Sequence, residues 1–350
     1  MNLTTPIFFA IPGDLNQHTG GYAYDRRLIT ELTALGIPVE VVQLSGRFPQ
    51  PTPADLAEAE AKLANLPQDA ILLADCLAFG VMEEVVSNLL SQQKNLHIIA
   101  LCHHPLALET GLSSAQQAAY RISEARALGA SKAILVTSHT TAHILKNEFG
   151  IANIYVALPG TDRQNFAPAI GNPPILLTVA SLTRRKAHDL LIDALATLSH
   201  LPWQARFVGA ASFDPEWARL LHQKVADYGL EQRVLFLGDL ANTQQEYANA
   251  DLFVLPSHYE GYGMAFAEAL AFGLPIIAAR AGAVPELVTE SAGILITPGD
   301  VQQLANALNH LLTNEEDRKR LQTGAQQLAE NLPSWGDTAL VVAGLIKQLS

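Results

Sequence analysis

Two glutamates, Glu260 and Glu268, stand eight positions apart in the segment HYEGYGMAFAEALAFG. The apolar run LFVLPS before it predicts a strand, HYEGYG a loop at the carboxyl end of that strand, and MAFAEALAFG a helix. A helix N-terminus attracts phosphate, and Gly261 and Gly263 let a ligand approach the backbone closely. The two carboxylates are suited to accept hydrogen bonds from hydroxyl groups. The pattern favours a nucleotide sugar, although similar loops also occur in α/β proteins that bind no ligand there.

The elements that position this segment alternate between strands and helices in both halves of the chain. Apolar runs such as PIFFAIPG, DAILLADCL and LHIIALCHH are followed by loops or helix-length stretches, and the same order restarts with ILLTVAS, RVLFLGD and PIIAARA. Near-continuous apolar strands between helices are typical of parallel sheets that are covered on both faces. The predicted fold class is therefore α/β, with two Rossmann-like doubly wound domains. Open α/β sheets bind ligands at the carboxyl ends of their strands, so we expect the site in the cleft between the domains.

The segment PGTDRQNFAPAIGNPP, residues 159–174, is the predicted linker because it is rich in Pro, Gly and Asn and lacks apolar periodicity. A chain of 350 residues is long enough for two hydrophobic cores. We therefore predict an N-terminal domain over residues 1–160 and a C-terminal domain over residues 161–335. The tail SWGDTALVVAGLIKQL predicts one last helix, about residues 336–350, that packs back on the N-terminal domain.

Charge and composition exclude several classes of function. The formal net charge of −12 argues against nucleic acid as a partner, because binding a phosphate backbone needs clustered Lys and Arg. Cys76 and Cys102 lie in apolar runs, as buried thiols do, so neither disulfides nor a metal site is expected from them. The N-terminal stretch contains no Lys or Arg, and no apolar run approaches the ~18 residues of a membrane span. We expect a soluble, cytoplasmic protein with no strong membrane signal.

The segment PSHYEGYGMAFAEALAFGLPIIAARAGAVPELV resembles the E-x7-E region of retaining glycosyltransferase family 4, the glycosyl transferase group 1 with the GT-B fold. TGGYAYDRRLITELTALGIPVEVV is similar to the family's N-terminal Gly-Gly loop and first helix, VALPGTD to the start of its second domain, and RVLFLGDL to its base-binding strand. The resemblance implies an acceptor-binding N-terminal domain and a C-terminal domain that binds the nucleotide-sugar donor. The residues that carry it in the first segment are Pro256, Ser257, Glu260, Gly261, Gly263, Glu268, Ala269, Gly273, Pro275, Gly282, Pro285 and Glu286.

The resemblance also implies roles for single residues of the donor site. Glu260 would contact the hydroxyls of the donor sugar, Glu268 would contact the ribose, and Lys186 would neutralise the diphosphate. The family usually has an arginine five residues before that lysine, where this chain has Ser181, and Arg184 or Arg185 is the candidate for supplying the missing charge. The predicted donor-binding residues besides Glu268 are Gly20, Gly21, Arg185, Gly261, Tyr262, Gly263 and Met264.

Histidines of the chain are interpreted in two ways. His103, which follows a strand in CHHPLALETG, matches the family histidine that reaches the sugar site, and His104 is the alternative because neighbouring strand residues point to opposite faces. His139 and His143 have the spacing of metal ligands but lack the glutamate of H-E-x-x-H, so they are interpreted as ordinary exposed histidines. The chain contains no D-x-D motif. The prediction is therefore no metal and no other cofactor, with His103, Lys186 and Glu260 as catalytic residues.

The resemblance implies retaining transfer of a hexose-type sugar from a nucleoside diphosphate to an acceptor. Retention implies a front-face mechanism, in which the departing phosphate takes the acceptor proton while Lys186 and the helix N-terminus stabilise its charge. Residues 1–160 carry a net charge of −5 and residues 161–350 a net charge of −7, which favours a soluble acceptor, a small molecule or a saccharide, over a lipid on an anionic membrane.

Other functions remain open on the sequence. The departure at Ser181 favours a non-catalytic nucleotide-sugar-binding subunit with the same fold, and donor hydrolysis without acceptor would count against it. An epimerase of this fold should lack the E-x7-E loop, and a sugar phosphorylase is normally far longer and carries a pyridoxal lysine site. Both of these are weaker alternatives.

Overall fold

The structure, a computed structural model, describes residues 7–349. Residues 1–6, on which part of the interpretation of the N-terminal stretch rests, and Ser350 lie outside the described residues. The chain forms two compact units, a first unit of residues 1–160 and 333–350 and a second unit of residues 161–332. The last helix thus belongs to the first unit, and the second unit ends three residues before the predicted limit at residue 335.

The first unit is built on a parallel sheet with the strand order β2-β1-β3-β4-β5-β6. Its core strands are short runs of buried apolar residues, as the sequence pattern predicts. The strands are β1 (Ile7–Pro12), β2 (Val39–Leu44), β3 (Ile71–Asp75), β4 (His97–Cys102), β5 (Ala133–Val136) and β6 (Ile154–Val156). The helices of its first 160 residues are α1 (Gly20–Ala34), α2 (Pro53–Ala64), α3 (Cys76–Phe79), α4 (Glu83–Gln92), α5 (Ser114–Ala130) and α6 (His139–Glu148).

The second unit repeats this architecture with the strand order β12-β11-β10-β7-β8-β9, again all parallel. Its strands are β7 (Ile175–Val179), β8 (Gln204–Val208), β9 (Val234–Gly238), β10 (Leu252–Leu255), β11 (Ile276–Ala279) and β12 (Gly293–Ile296). Its helices are α7 (His188–Thr197), α8 (Pro215–Asp227), α9 (Gln244–Ala248), α10 (Met264–Ala271), α11 (Val284–Leu287), α12 (Val301–Thr313) and α13 (Glu315–Ala329). The predicted α/β class with two parallel sheets is confirmed.

The strand orders fix where a ligand can bind in each unit. In the first sheet the chain runs from β1 to β2 on one side and then places β3 on the other side of β1. In the second sheet it runs from β7 through β8 to β9 and then places β10 on the other side of β7. The loops at the carboxyl ends of β1 and β3, and of β7 and β10, diverge at these points and leave a crevice for a ligand.

The last helix, α14 (Trp335–Leu349), packs on the first unit, beside α1. The rings of Tyr24 and Trp335 meet edge to face, with centroids 5.7 Å apart, and Thr338 donates a hydrogen bond to the carbonyl of Leu158 at 2.7 Å. The two contacts anchor α14 to α1 and to the segment that follows β6. Among the described residues, no helix combines the length and the apolar character that a membrane span requires.

Candidate functional site

The second unit brings two loops together at its switch point. One follows β7 and contains a 3₁₀ turn, Arg184–Lys186, and the other follows β10 and contains Glu260. The carbonyl of Arg185 accepts a hydrogen bond from the backbone N–H of His258 at 2.8 Å, and the Arg185 guanidinium donates to the carbonyl of Tyr259 at 2.7 Å. These bonds fix the two loops against each other.

An ion-paired cluster forms where these loops meet. The Lys186 ammonium donates to Glu260 Oε1 at 2.7 Å, and Arg185 Nη1 lies 3.5 Å from Glu260 Oε2. Glu260 is buried, whereas both cations are partly accessible. Burial alone would raise the pKa of Glu260, but the charges of Lys186 and Arg185 outweigh it and hold the pKa below its ordinary value. Glu260 is therefore an ionised acceptor, and the cluster carries one net positive charge.

Arg184 points away from this cluster. Its guanidinium lies over the ring of Trp217, 4.5 Å from the ring centroid, and 3.5 Å from a carboxylate oxygen of Asp214 at the start of α8. The sequence left open which of the two arginines stands in for the charge missing at Ser181. The geometry favours Arg185, because Arg185 is the one beside Glu260.

The loop that contains Gly261 leads directly into α10, as the sequence predicts. Gly263 is the N-cap residue of this helix with φ +95°, a conformation that favours glycine, and Met264 is its first residue. Tyr262 is buried, and its hydroxyl has no hydrogen-bond partner among the described residues. Burial, with a smaller contribution from the charge of Glu286, raises the pKa of Tyr262, so this ring stays neutral. The helix N-terminus thus lies directly after the Glu260 loop.

Glu268 lies one turn further along α10 and is held by a residue that the sequence did not single out. Tyr247 on α9 donates a hydrogen bond to Glu268 Oε2 at 2.9 Å. Burial raises the pKa of Glu268, and the bond from Tyr247 lowers it only in part. The two glutamates therefore differ in their surroundings. Two cations beside Glu260 lower its pKa, whereas Glu268 lies beside a neutral phenol and burial raises its pKa.

The predicted residues of the first unit lie at the carboxyl ends of β1 and β4. Gly20 and Gly21 begin α1, and a side chain at Gly21 would contact the ring of His103. His103 Nε2 lies 3.2 Å from Asp25 Oδ1 and forms a hydrogen bond with it. The structure thus brings Gly21 and His103 together with Asp25, which the sequence had not assigned to a site.

His104, the alternative to His103, lies with Nε2 3.4 Å from Glu109 Oε2 and does not join this group. His139 and His143 are both exposed on α6. Their side chains are not among the described groups whose donor atoms converge as metal ligands do. One set of described residues does converge in that way: Asp25, Asp75 and His103 have ligand atoms within 4.8 Å of one another.

Asp25 and Asp75 are the functional candidates that sequence reasoning missed. Asp75 is the last residue of β3, which pairs with both β1 and β4, and it is 5% exposed. An apolar strand that ends in a buried aspartate, here ILLAD, is a signal in the sequence for a group placed at a ligand-binding edge. Asp25 gives no such signal, since a charged residue on a first helix is ordinary.

Comparison with known proteins agrees with this geometry. Residues 160–328, which span almost the whole second unit, match the family model of glycosyl transferases group 1. The second unit is thus similar to this family over almost its whole length. The relatives include the lipopolysaccharide core biosynthesis mannosyltransferase LpsB of Rhizobium meliloti, 33% identical over 213 residues, 54% of this chain and 57% of the relative. A D-inositol 3-phosphate glycosyltransferase of Xylanimonas cellulosilytica is 29% identical over 251 residues, 65% of this chain and 59% of the relative. The chain thus spans less than two thirds of the length of either relative.

Solved structures share the fold of both units. Sucrose-phosphate synthase from Thermosynechococcus elongatus matches with a TM-score of 0.82 at 24% identity, over 98% of each chain. HepE from Anabaena, in complex with UDP-glucose, matches with a TM-score of 0.78 at 23% identity, over 98% of this chain and 99% of that one. The chain therefore has the GT-B fold that its sequence predicted.

Proposed function

We propose that this chain is a retaining glycosyltransferase that transfers a sugar from a nucleoside diphosphate to the hydroxyl of an acceptor. The observation that carries the proposal is the cluster of Lys186, Arg185 and Glu260 at the switch point of the second unit, next to the N-terminus of α10. Two cations and a helix N-terminus suit a diphosphate, and an ionised carboxylate suits the hydroxyls of a sugar. The match of the second unit to the glycosyl transferase group 1 family supports the same chemistry.

The proposed roles of the side chains follow from their charges. Lys186 and Arg185 neutralise the diphosphate as the bond from the anomeric carbon to the phosphate oxygen breaks. The acceptor oxygen forms the new bond on the same face, and its proton passes to the departing phosphate. Glu260 holds hydroxyls of the transferred sugar, and Glu268 holds the ribose. The backbone of residues 261–264 receives the sugar and phosphate, and the first unit holds the acceptor. Gly20 and Gly21 keep the donor-binding role, and His103 the catalytic role, that the resemblance implies.

The donor base, the acceptor and the location of the protein are also proposed. The structure of HepE contains UDP-glucose, and for this chain we propose a nucleoside diphosphate sugar whose base is to be found by experiment. The proposed acceptor is soluble, a small molecule or a saccharide, and the proposed location is the cytoplasm. Activity is expected without added metal.

The test is a calorimetric screen of UDP-, GDP- and ADP-sugars, followed by donor hydrolysis and transfer assays with the donor that binds. We expect one base to be preferred and the bound donor to be hydrolysed slowly without acceptor. Lys186→Ala should reduce hydrolysis by ~100-fold or more, because one group that stabilises the leaving charge is removed. Lys224→Ala is the matched control, since Lys224 pairs with Asp193 on α7 rather than with Glu260.

Two results would contradict the proposal. A protein that binds none of these donors is not a glycosyltransferase of this type. A protein that binds a donor with its expected base preference but neither hydrolyses nor transfers it is a nucleotide-sugar-binding subunit.

A further inference from the structure

The hydroxyl of Tyr247 reaches the acid that is proposed to hold the ribose of the donor. Tyr247 lies on α9, which precedes β10, and it is 1% exposed. Its O–H donates to Glu268 Oε2 at 2.9 Å, and the carbonyl oxygen of Ala265, at 3.3 Å, is the more distant alternative acceptor. A phenol has one hydrogen to donate, and a bond to a carboxylate is the stronger of the two. Tyr247 has no role in the transfer step proposed above.

The ring of Tyr247 is packed so that its hydroxyl has a fixed position. It stacks on Phe272 with centroids 5.4 Å apart and planes 8° apart, and on Phe253 with centroids 5.8 Å apart and planes 24° apart. Phe253 lies on β10, and Phe272 is the C-cap residue of α10. Side chains in a close-packed interior occupy one rotamer. The phenol is therefore a rigid donor between the strand before the Glu260 loop and the helix after it.

Glu268 has one oxygen bonded to Tyr247 and one that a ligand can use. The residue is partly exposed, and its Oε1 has no hydrogen-bond partner among the described residues. A glutamate side chain without such a bond samples several rotamers and loses that freedom when it binds a ligand. The bond to Tyr247 selects one rotamer before a ligand arrives. Preorganisation of this kind raises affinity because the side chain is not ordered at the cost of binding.

Tyr247 also favours the charge state in which Glu268 accepts hydrogen bonds. Burial raises the pKa of Glu268, the bond from Tyr247 opposes this rise, and the charge of Asp162 adds a smaller rise. Helix α10 also packs on α11 and α13. On α11, the charge of Glu286 acts on Tyr262. Several charged residues of α9 and α13 pair with other groups: Glu246 with Arg206, Arg318 with the carbonyl of Leu311, Lys319 with Glu315, and Arg320 with Asp317.

We propose that Tyr247 is a positioning residue of the donor site, which acts through Glu268 to bind the ribose hydroxyls of the nucleoside diphosphate. The ring is buried, so its effect on a ligand passes through the orientation and charge of Glu268. This inference rests on the proposed function, because it requires the contact between Glu268 and the ribose. A role for Tyr247 in the aromatic stack alone predicts a different result, in which its hydroxyl affects stability and not the recognition of ribose.

The experiment measures the preference for ribose in the wild type and in Tyr247→Phe. The probes are the nucleoside diphosphate that the wild type binds most tightly among UDP, GDP and ADP, and its 2′,3′-dideoxy analogue, which lacks the ribose hydroxyls. In calorimetry, the wild type should bind the analogue about 10-fold or more weakly, because bonds to a charged group are lost. In Tyr247→Phe, affinity for the ribonucleotide should fall about 3- to 10-fold, and affinity for the analogue should stay within about twofold.

Two further variants show whether the effect passes through Glu268. Tyr228→Phe is the matched control, since Tyr228 is exposed and donates to Asp193 Oδ1 at 2.8 Å, outside the proposed donor site. It should keep the wild-type preference for ribose. In the Glu268→Ala background, Tyr247→Phe should weaken binding no further, because the partner through which it acts is gone. Phenylalanine retains the stacked ring, and thermal unfolding of each variant checks that it is folded.

The pH dependence of binding is a second readout of the same contact. The ionised form of Glu268 is the one that accepts from ribose hydroxyls, so the preference for ribose is present above the pKa of Glu268 and is lost as pH falls through it. Removal of the phenol raises this pKa further. The preference should therefore be lost at a higher pH in Tyr247→Phe than in the wild type, whereas Tyr228→Phe should follow the wild type.

The possible failures are distinguishable. A wild-type preference for ribose in Tyr247→Phe, with an unshifted pH dependence, would overturn the inference and leave the proposed function standing. A further loss of affinity in the Glu268→Ala background would overturn it too, because Tyr247 would then act by another route. A wild type that binds both probes equally would overturn the ribose contact of Glu268 and the inference with it. A wild type that binds none of the three nucleoside diphosphates and none of their sugars would refute the proposed function itself.

Discussion

The three consecutive basic residues of the Arg184–Lys186 turn differ in what they contact. Lys186 and Arg185 both face Glu260, whereas Arg184 lies on Trp217. Their order in the sequence cannot separate them, because neighbouring residues of a tight turn point in directions that depend on the packing around the turn. Trp217 and Asp214 of the next βα unit decide the direction of Arg184.

This difference predicts unequal effects on catalysis. Arg185→Ala should lower turnover by about 10- to 100-fold, because it removes one of two charges proposed to stabilise the diphosphate. Arg184→Ala is the matched control and should stay within about twofold, since the Arg184 side chain is exposed and paired elsewhere. Steady-state rates with saturating donor measure both variants. Equal losses in the two variants, or a loss in Arg184→Ala alone, would contradict the assignment of Arg185.

His188 gives a second prediction at the residue scale. It is the first residue of α7, fully buried, and neither ring nitrogen has a hydrogen-bond partner among the described residues. Burial, helped by the charge of Lys186, lowers its pKa to about 3. The folded protein therefore favours the neutral ring, so its stability contribution is present above the unfolded pKa of about 6.5 and is lost as pH falls from there toward 3.

The substitution His188→Leu removes the loss of stability that protonation of the buried ring causes at low pH. We expect the free energy of unfolding of the variant to be near that of the wild type at pH 7.5. At pH 5 it should be about 2 kcal/mol higher than that of the wild type, because pH 5 lies ~1.5 units below the unfolded pKa of histidine. His200→Leu, at an exposed histidine, should show no such gain. Denaturant unfolding of the three proteins at both pH values provides the comparison. A difference between His188→Leu and wild type that is the same at pH 7.5 and pH 5 would show that the ring is not held neutral.

At the scale of elements, the loop that carries Glu260 is fixed by a close backbone approach. Gly282, after β11, has φ +55°, and a Cβ atom there would collide with the carbonyl oxygen of Glu260. That same carbonyl accepts the backbone N–H of Ala283 at 2.9 Å. Only glycine allows both the backbone conformation and the contact, so Gly282 sets the position of the Glu260 loop.

Gly282→Ala should therefore displace the Glu260 loop. We expect a fall in turnover of at least about 10-fold and a loss of stability of ~1–3 kcal/mol. Gly299→Ala controls for backbone strain alone, because Gly299 has φ +83° but no atom within 4 Å of the added Cβ. Turnover and thermal unfolding are measured for both variants. Equal turnover in the two would mean that the contact with Glu260 does not hold the loop in its active position.

Much of this arrangement was predictable from local sequence patterns. The strand, loop and helix around Glu260 lie in one continuous stretch, residues 252–271, so apolar periodicity and glycines define them. The group of Asp25, Asp75 and His103 was not predictable in this way, because its members are far apart in sequence and meet only through the pairing of β1 with β3 and of β3 with β4. Apolar patterning predicts that strands exist but does not give their order in the sheet.

At the scale of the whole molecule, charge bears on the kind of acceptor. The first unit, residues 1–160 and 333–350, carries 10 Lys and Arg against 15 Asp and Glu, and the second unit carries 12 against 19, so neither is basic. The two adjacent arginines of α1 are used within the first unit. Arg26 donates to the carbonyls of Leu15 and Gln17, and Arg27 lies over the ring of Trp335. They do not form a basic patch of the kind that binds anionic lipid headgroups.

We therefore predict that the protein does not bind anionic membranes and that its acceptor is soluble. Stable peripheral binding needs a polybasic patch or a lipid anchor, and each missing basic contact removes about 1 kcal/mol of attraction to an anionic surface. Co-sedimentation at low salt with vesicles rich in phosphatidylserine, compared with vesicles of phosphatidylcholine alone, should leave the protein in the supernatant in both cases. The variant Arg26→Glu should behave identically, because that side chain faces the loop before α1 rather than a lipid surface. If the protein sediments with the anionic vesicles, and if salt reverses and Arg26→Glu abolishes this sedimentation, the prediction of a soluble acceptor is contradicted. The proposed donor site in the second unit would be unaffected, because Lys186, Arg185 and Glu260 take no part in that contact.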